Sequence, residues 1–151
     1  MRFAADNMLG TLARWLRVLG FDTAYPGVLT DKGLAEFAKK EDRILLTRDK
    51  ELAKAGGDFA LYIHSTDVDE QLEQVILAYD LTIENELSRC SLCNTKLVPV
   101  DKETVKDGVP EKVFEIQDEF WECRRCKKYY WPGTHYKNIK EKLEKLKGKT
   151  R

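Results

Sequence analysis

Two sets of side chains in this sequence have the spacing to do chemistry: carboxylates at the ends of apolar runs, and cysteines in two close pairs. Ile44, Leu45 and Leu46 form a short apolar run that ends in Thr47, Arg48, Asp49 and Lys50. This is the pattern of a buried parallel strand that delivers polar residues to its carboxyl edge. Arg2, Phe3, Ala4 and Ala5 lead in the same way to Asp6, so two carboxylates distant in sequence can meet at one rim, where open α/β sheets bind ligands. Hard ions such as Mg²⁺ and Mn²⁺ take carboxylate oxygens and keep several waters. An ion held there polarises a phosphate and lowers the pKa of a bound water, so the chemistry indicated is phosphodiester cleavage. Helix capping is the other ordinary use of an Asp at such a place.

Cys90-Ser-Leu-Cys93 and Cys123-Arg-Arg-Cys126 are two C-x2-C pairs. Four thiolates at about 2.3 Å complete the closed tetrahedral shell of structural Zn²⁺. The 29 residues between the pairs exceed the usual ribbon spacing at little entropic cost. Redox pairs and disulfides are the competing uses, and an intracellular chain seldom employs two pairs for them. Residues 95–100, 113–122 and 127–131 read as antiparallel strands, with 101–112 as a polar loop. Such a module has too little apolar surface to fold alone, so metal binding would supply its stability. Arg124, Arg125, Lys127 and Lys128 crowd the second pair beside Trp121, Tyr129, Tyr130 and Trp131. Basic side chains interleaved with aromatics suit unpaired RNA bases and their phosphates, although aromatics on a ribbon also pack on neighbouring domains.

The elements that must position these residues follow from periodicity. Asp6 and Asn7 precede an apolar stripe of Met8, Leu9, Leu12, Trp15, Leu16 and Leu19 at helical spacing, with Gly20 as its stop and Arg14 and Arg17 on the opposite side. Residues 21–25 read as a strand closed by Pro26-Gly27, and residues 31–40 as a helix capped by Thr30 or Asp31. A strand over 43–49, a short helix over 50–55, a strand over 59–64 and a helix running to about Tyr79 follow. This β-α alternation predicts a parallel, three-layer α/β sandwich. Ile139, Leu143 and Leu146 place a helix in the C-terminal tail.

The 151 residues, 42% hydrophobic, allow one ordinary domain or a small one with an appendage. The zero net charge hides a division: residues 1–86 carry 10 Lys/Arg against 16 Asp/Glu, and residues 87–151 carry 16 against 10. An acidic half suited to metal is thus joined to a basic half suited to phosphate. No run approaches the roughly 18 apolar residues of a membrane span, and the chain enters a strand pattern at once. A soluble cytoplasmic protein with no membrane partner is expected.

The segments FAADNMLGTLARWLRVLGFDT and DKGLAEFAKKEDRILLTRDKEL, together with the two cysteine pairs and YYWPGTHY, resemble the Mut-seven C-terminal RNase family. That resemblance implies a PIN-like nuclease domain over 1–86 with a three-layer α/β/α sandwich and a parallel sheet. A zinc ribbon over 87–136 and a basic C-terminal helix or tail over 137–151 would follow. It also implies a Mg²⁺- or Mn²⁺-dependent endoribonuclease that hydrolyses single-stranded RNA and leaves 3′-hydroxyl and 5′-phosphate ends.

Carried over by position, Asp6, Asp31 and Asp49 are the metal-binding acids. Glu51, after the TRD motif, and Asp67, after the fourth strand, are candidates for a further acid. Arg14, Arg17, Arg48, Lys50, Arg124, Arg125, Lys127, Lys128, Trp131 and His135 are the candidate RNA contacts, with His135 expected near the acidic rim and His64 expected to be structural. The partner would be ribosomal RNA or another structured RNA with single-stranded regions. A non-catalytic RNA- or ribosome-binding protein of the same fold is the rival reading. A receiver-like phosphoacceptor also places acids at strand ends, but no matching switch lysine follows the last strand.

Overall fold

The computed structural model describes residues 1–150, with side chains through residue 146; the expectation for the chain end at Arg151 lies outside the described residues. Four short strands, β1 (Arg2–Ala5), β2 (Asp22–Ala24), β3 (Ile44–Thr47) and β4 (Ala60–Tyr62), form a parallel sheet in the order β2-β1-β3-β4. Alternate side chains divide between its faces, as the two-residue period of a strand requires. Phe3, Ala5, Ile44 and Leu46 pack on one side with α1 (Gly10–Val18), α4 (Val68–Ala78) and α7 (Thr134–Thr150). Ala4, Leu45 and Ala60 pack on the other with α2 (Asp31–Lys40), which leads into β3, and α3 (Lys50–Gly56), which follows it.

The larger cluster supplies most of the core. Phe3, Leu12, Leu16, Leu46, Leu72 and Ile76 are fully shielded from water, and each such side chain contributes about 1.5–3 kcal/mol by burial. The stripe expected from Met8 to Leu19 divides into a 3₁₀ turn, Asn7–Leu9, and α1. Met8 does not join the core but is 68% exposed, because the turn breaks the helical period that would have pointed it inward. Gly20 ends α1 with φ +101°, and a Cβ there would lie 2.3 Å from the Asn85 carbonyl oxygen. Glycine is therefore required by both conformation and space. In α7, Tyr136, Ile139 and Leu143 return to this same core, and Lys142 pairs with Asp69 of α4 at 3.3 Å. No helix among the described residues is long and apolar enough to cross a membrane.

In the second half, β5 (Val98–Val100), β6 (Phe120–Cys123) and β7 (Lys128–Tyr130) form an antiparallel sheet. The expected loop over 101–112 and strand over 113–122 need correction. Two short helices, α5 (Lys102–Val105) and α6 (Glu111–Ile116), occupy most of that span, and the strand starts only at Phe120. Val113, Phe114 and Ile116 make an apolar run whose period does not separate strand from helix. Pro110, with φ −57°, favours the helix, because its fixed φ suits a helix start and its carbonyl accepts the Phe114 amide at 3.0 Å.

The first cysteine pair docks on the edge strand β2. The Asn94 side chain accepts from the Thr23 amide at 3.1 Å and donates to Asp22 at 2.7 Å. Arg43 donates to the same Asp22 oxygen at 2.8 Å, and Arg89 lies 3.8 Å from the other. Arg17, expected on a solvent face, is instead buried here, donating to the Thr23 carbonyl at 2.8 Å and the Ser91 carbonyl at 2.9 Å. It is thereby removed from the candidate RNA contacts, because the end of α1 must be tied to the cysteine loop across the sheet edge.

Burial works against the Asp22 carboxylate, but the hydrogen bonds from Arg43 and Asn94 and the charges of Arg43 and Arg89 prevail and hold its pKa at about 2. A depressed carboxylate pKa stabilises the fold fully above the unfolded value near pH 4, and that contribution is lost as pH falls toward 2. Asp22→Asn should therefore cost about 2 kcal/mol at pH 7 and flatten the acid limb between pH 4 and 2, as read by urea unfolding over that range.

Candidate acidic cleft and cysteine centre

The order β2-β1-β3-β4 reverses direction between β1 and β3, the point where open α/β sheets form a crevice. Ala5 is paired with Leu46, and the Asp6 amide continues the ladder to the Leu46 carbonyl at 3.0 Å. Asp6 is thus set beside Thr47 at the carboxyl edge, and only 7% of its surface is exposed. One carboxylate oxygen accepts the Met8 amide at 2.9 Å, which caps the 3₁₀ turn. The other accepts the Thr47 hydroxyl at 2.5 Å and the Arg48 amide at 3.0 Å. Thr47 in turn accepts the Asp49 amide at 2.9 Å, so one hydroxyl ties the ends of both strands together.

Asp49 caps α3, with a single oxygen accepting the amides of Glu51 at 2.9 Å and Leu52 at 3.1 Å. Its second oxygen takes no part in the cap. At the start of α2 the cap is Thr30, which accepts the Gly33 amide at 3.1 Å. This frees Asp31 from the capping work that either residue could have done. Asp6, Asp31 and Asp49 all line one cleft of about 200 Å³, together with Asn7 and an apolar wall that includes Pro26, Leu29 and Leu34. Among the described residues its lining contains three carboxylates and no Lys or Arg.

Other expected site residues fall elsewhere. Glu51 is not part of the cleft lining; it stands exposed on α3, 4.0 Å from Lys54, because the residue two places after a helix cap projects away from the strand ends. Asp67 caps α4 through the Glu70 amide at 3.1 Å. Arg48 donates to the carbonyls of Ile63 and Ser65 at 2.9 and 3.1 Å, which fastens the end of β4. Arg14 and Lys50 are exposed. His135, expected near the rim, packs edge-on against Trp15 at 5.0 Å and does not line the cleft. His64, expected inside a strand, is exposed just beyond β4, with its ring 5.0 Å from that of Tyr62.

The four cysteines converge. Their sulfurs all lie within 4.8 Å of one another, with Cys90 and Cys126 at 3.9 Å and Cys93 and Cys123 at 3.5 Å. These separations bracket the roughly 3.8 Å between ligands of a tetrahedron with 2.3 Å metal–sulfur bonds, and they exclude a disulfide bond at about 2.05 Å. The residue after each second cysteine turns the chain left-handed, Asn94 at φ 68° and Lys127 at φ 58°. Asn tolerates that conformation, and its side chain also makes the contact with β2. Tyr130 places its hydroxyl 3.0 Å from the Cys90 sulfur and accepts the Ser91 amide at 3.0 Å. Neighbouring thiols, Cys93 first among them, push the Cys126 pKa up to about 12. Four thiolates at this spacing therefore call for a cation, and the set is compatible with a structural metal such as zinc.

Beside this centre, Arg124, Arg125, Lys127 and Lys128 are exposed. The aromatics are less available than their spacing implied. Trp121 packs against the core, Tyr130 is buried at the cysteines, and Trp131 is half-buried against Phe120 at 6.3 Å. Thr47, Asn94 and Tyr130 are positioning residues that pattern reasoning did not single out for these roles. Each acts through hydrogen bonds to residues distant in the chain, for which the sequence carries no periodic signal.

Two measurements check this geometry. Thr47→Val should destabilise the protein by about 1–3 kcal/mol, the cost of leaving a buried carboxylate short of a donor, whereas Thr47→Ser should retain most of the stability; denaturant unfolding reads the difference. Elemental analysis of the purified protein should return one zinc ion per chain, and chelation should lower the melting temperature together with zinc content.

Comparison with known families matches residues 1–143 to the family described as the Mut7-C RNAse domain. No curated protein and no solved structure gives a significant match.

Proposed function

The chain belongs to the Mut7-C RNAse domain family, and from that premise we propose that it is a Mg²⁺- or Mn²⁺-dependent endoribonuclease of single-stranded RNA, built on a PIN-like α/β/α scaffold. The observation that carries this reading is the cleft shared by Asp6, Asp31 and Asp49, with no basic side chain in its lining among the described residues. Among the described residues only the four cysteines bring three or more ligand atoms within 4.8 Å of one another. A hard divalent cation, which prefers carboxylate oxygens, would therefore draw the side chains of Asp6, Asp31 and Asp49 closer on binding. The cleft's roughly 200 Å³ leaves room for retained waters, each occupying about 30 Å³.

When bound, the ion would polarise the scissile phosphate and lower the pKa of an attacking water. The chain's own residues do the positioning. Asp6 is held by three donors, which fix the orientation of its carboxylate at the strand end. Asp49 keeps one oxygen for its helix cap and offers the other. Asp31 lines the same cleft from the first turn of α2. The apolar wall of Pro26, Leu29 and Leu34 lowers the local dielectric and strengthens attraction between the acids and a cation.

In this reading the cysteine centre holds a structural Zn²⁺, and Arg124, Arg125, Lys127 and Lys128 on the ribbon assist RNA binding through phosphate contacts. The substrate would be ribosomal RNA or another structured RNA with single-stranded regions, encountered in the cytoplasm, where thiols stay reduced.

A second reading has its own observation. Asp6 and Asp49 both cap helical turns, which is structural work a non-catalytic RNA-binding protein would need equally. Asp31 separates the two, since Thr30 supplies its helix cap. Asp31→Asn should leave the melting temperature and RNA affinity unchanged, and should lower Mn²⁺-dependent cleavage of a 5′-labelled unstructured RNA by at least the roughly 100-fold that loss of a metal's outer-shell partner produces. The products should carry 3′-hydroxyl and 5′-phosphate ends. Full cleavage by the variant would refute the three-acid site, and RNA binding without cleavage by the unaltered protein would select the second reading.

A further inference from the structure

Strand alternation places a second group of side chains on the same face and the same edge of the sheet as the acids. Ala60 of β4 packs on the α2–α3 side, so Tyr62 projects to that side as well, the side to which Asp6 and Thr47 also point, and His64, just beyond β4, lines the same recess as Tyr62. Tyr62 and His64 meet edge to face, with ring centroids 5.0 Å apart at 81°. Lys50, the residue after Asp49, places its ammonium 5.8 Å from the Tyr62 ring centre. Lys50, Ala53, Lys54, Gly57, Tyr62 and His64 surround an open recess of about 690 Å³, within the roughly 300–1,000 Å³ of small-ligand sites.

The two hollows are complementary in charge. Among the described residues the cleft has three carboxylates and no ammonium in its lining, whereas the recess has two ammoniums and no carboxylate, and the first turn of α3 separates them. Asp6 follows β1 and Tyr62 ends β4, two strand spacings or about 10 Å apart across the sheet, a distance an extended single strand spans in a couple of nucleotides. Lys54 has a neighbour in Glu51 at 4.0 Å, but both side chains are well exposed. A pair of that kind contributes little and leaves the lysine open to a phosphate.

We propose that this recess is a nucleotide subsite for single-stranded RNA adjoining the acidic cleft, in which a base stacks on Tyr62 beside His64 while Lys50 and Lys54 hold the neighbouring phosphate. Aromatic faces accept any base, so the subsite favours unpaired strands without dictating sequence. A duplex keeps its bases stacked inside and cannot use it. The proposal rests on the ribonuclease reading for its substrate and extends it to how the strand is held.

The test is fluorescence anisotropy with a labelled, unstructured 12-nucleotide RNA in EDTA, where binding is read without cleavage, followed by Mn²⁺-dependent cleavage of the same strand. Tyr62→Ala should weaken binding roughly 5- to 150-fold, the range for loss of one aromatic–base stack, and Tyr62→Phe, which keeps the ring, should bind as the unaltered protein does. Lys50→Ala with Lys54→Ala, both at exposed positions that should not disturb folding, should reduce the slope of log affinity against log salt by about 0.7 per lysine. Equal loss in Tyr62→Phe and Tyr62→Ala would overturn the stacking role. Unchanged binding in Tyr62→Ala and the double lysine variant would overturn the subsite while cleavage by the unaltered protein still upheld the nuclease reading. Failure of the unaltered protein to bind or cleave RNA would overturn both.

Discussion

The site depends on the pairing of β1 with β3 in one register and on the Asp6 carboxylate that fastens their ends. A sheet alternates its faces every residue, so a slip of one position would send Asp6 to the side of α1 and α4 and bury it in the main apolar cluster. Ala5 opposite Leu46 prevents that, and the three donors on Asp6 hold the carboxylate where the chain reverses its winding. Removing a carboxylate from water is costly unless it is hydrogen-bonded. The same bonds that make Asp6 tolerable at 7% exposure also orient it, so stability and site geometry are one arrangement.

The second half of the chain is joined to the first by an equally specific contact. Asn94, directly after a cysteine pair, reaches the open side of β2, and Asp22 gathers Arg43, Arg89 and Asn94 at the junction. An exposed edge strand invites unwanted pairing, and here its amide at Thr23 is taken by the cysteine loop. Order in the loop and order at the sheet edge are therefore coupled. The hollow at Tyr62 lies at the opposite edge of the sheet, which leaves the acidic cleft between the docked cysteine module and the basic recess.

Much of this was legible beforehand where the signal is local. The apolar runs of β1 and β3, the stripe of α1, the helix over 31–40 and the spacing of the cysteines are each written in a few adjacent residues. Where the signal was ambiguous, a nearby rigid residue decided it, as Pro110 did for α6. Residues whose role depends on a distant partner were misplaced. Arg17 had the helical position of a solvent-facing residue, yet it lies under the cysteine loop 74 residues away. His64 sat in an apolar run but falls just past the strand end.

The sequence by itself determined which residues could do chemistry: the acids after apolar strands and four thiols in two tight pairs, because strand ends and knuckles are set by neighbours in the chain. Only the tertiary structure decided which of them meet. Thr30 rather than Asp31 caps α2, Glu51 is turned outward, Arg48 is tied to β4, and Lys50 faces Tyr62. Those outcomes depend on strand order, register and competition among hydrogen-bond partners far apart in the chain, and no local pattern encodes them.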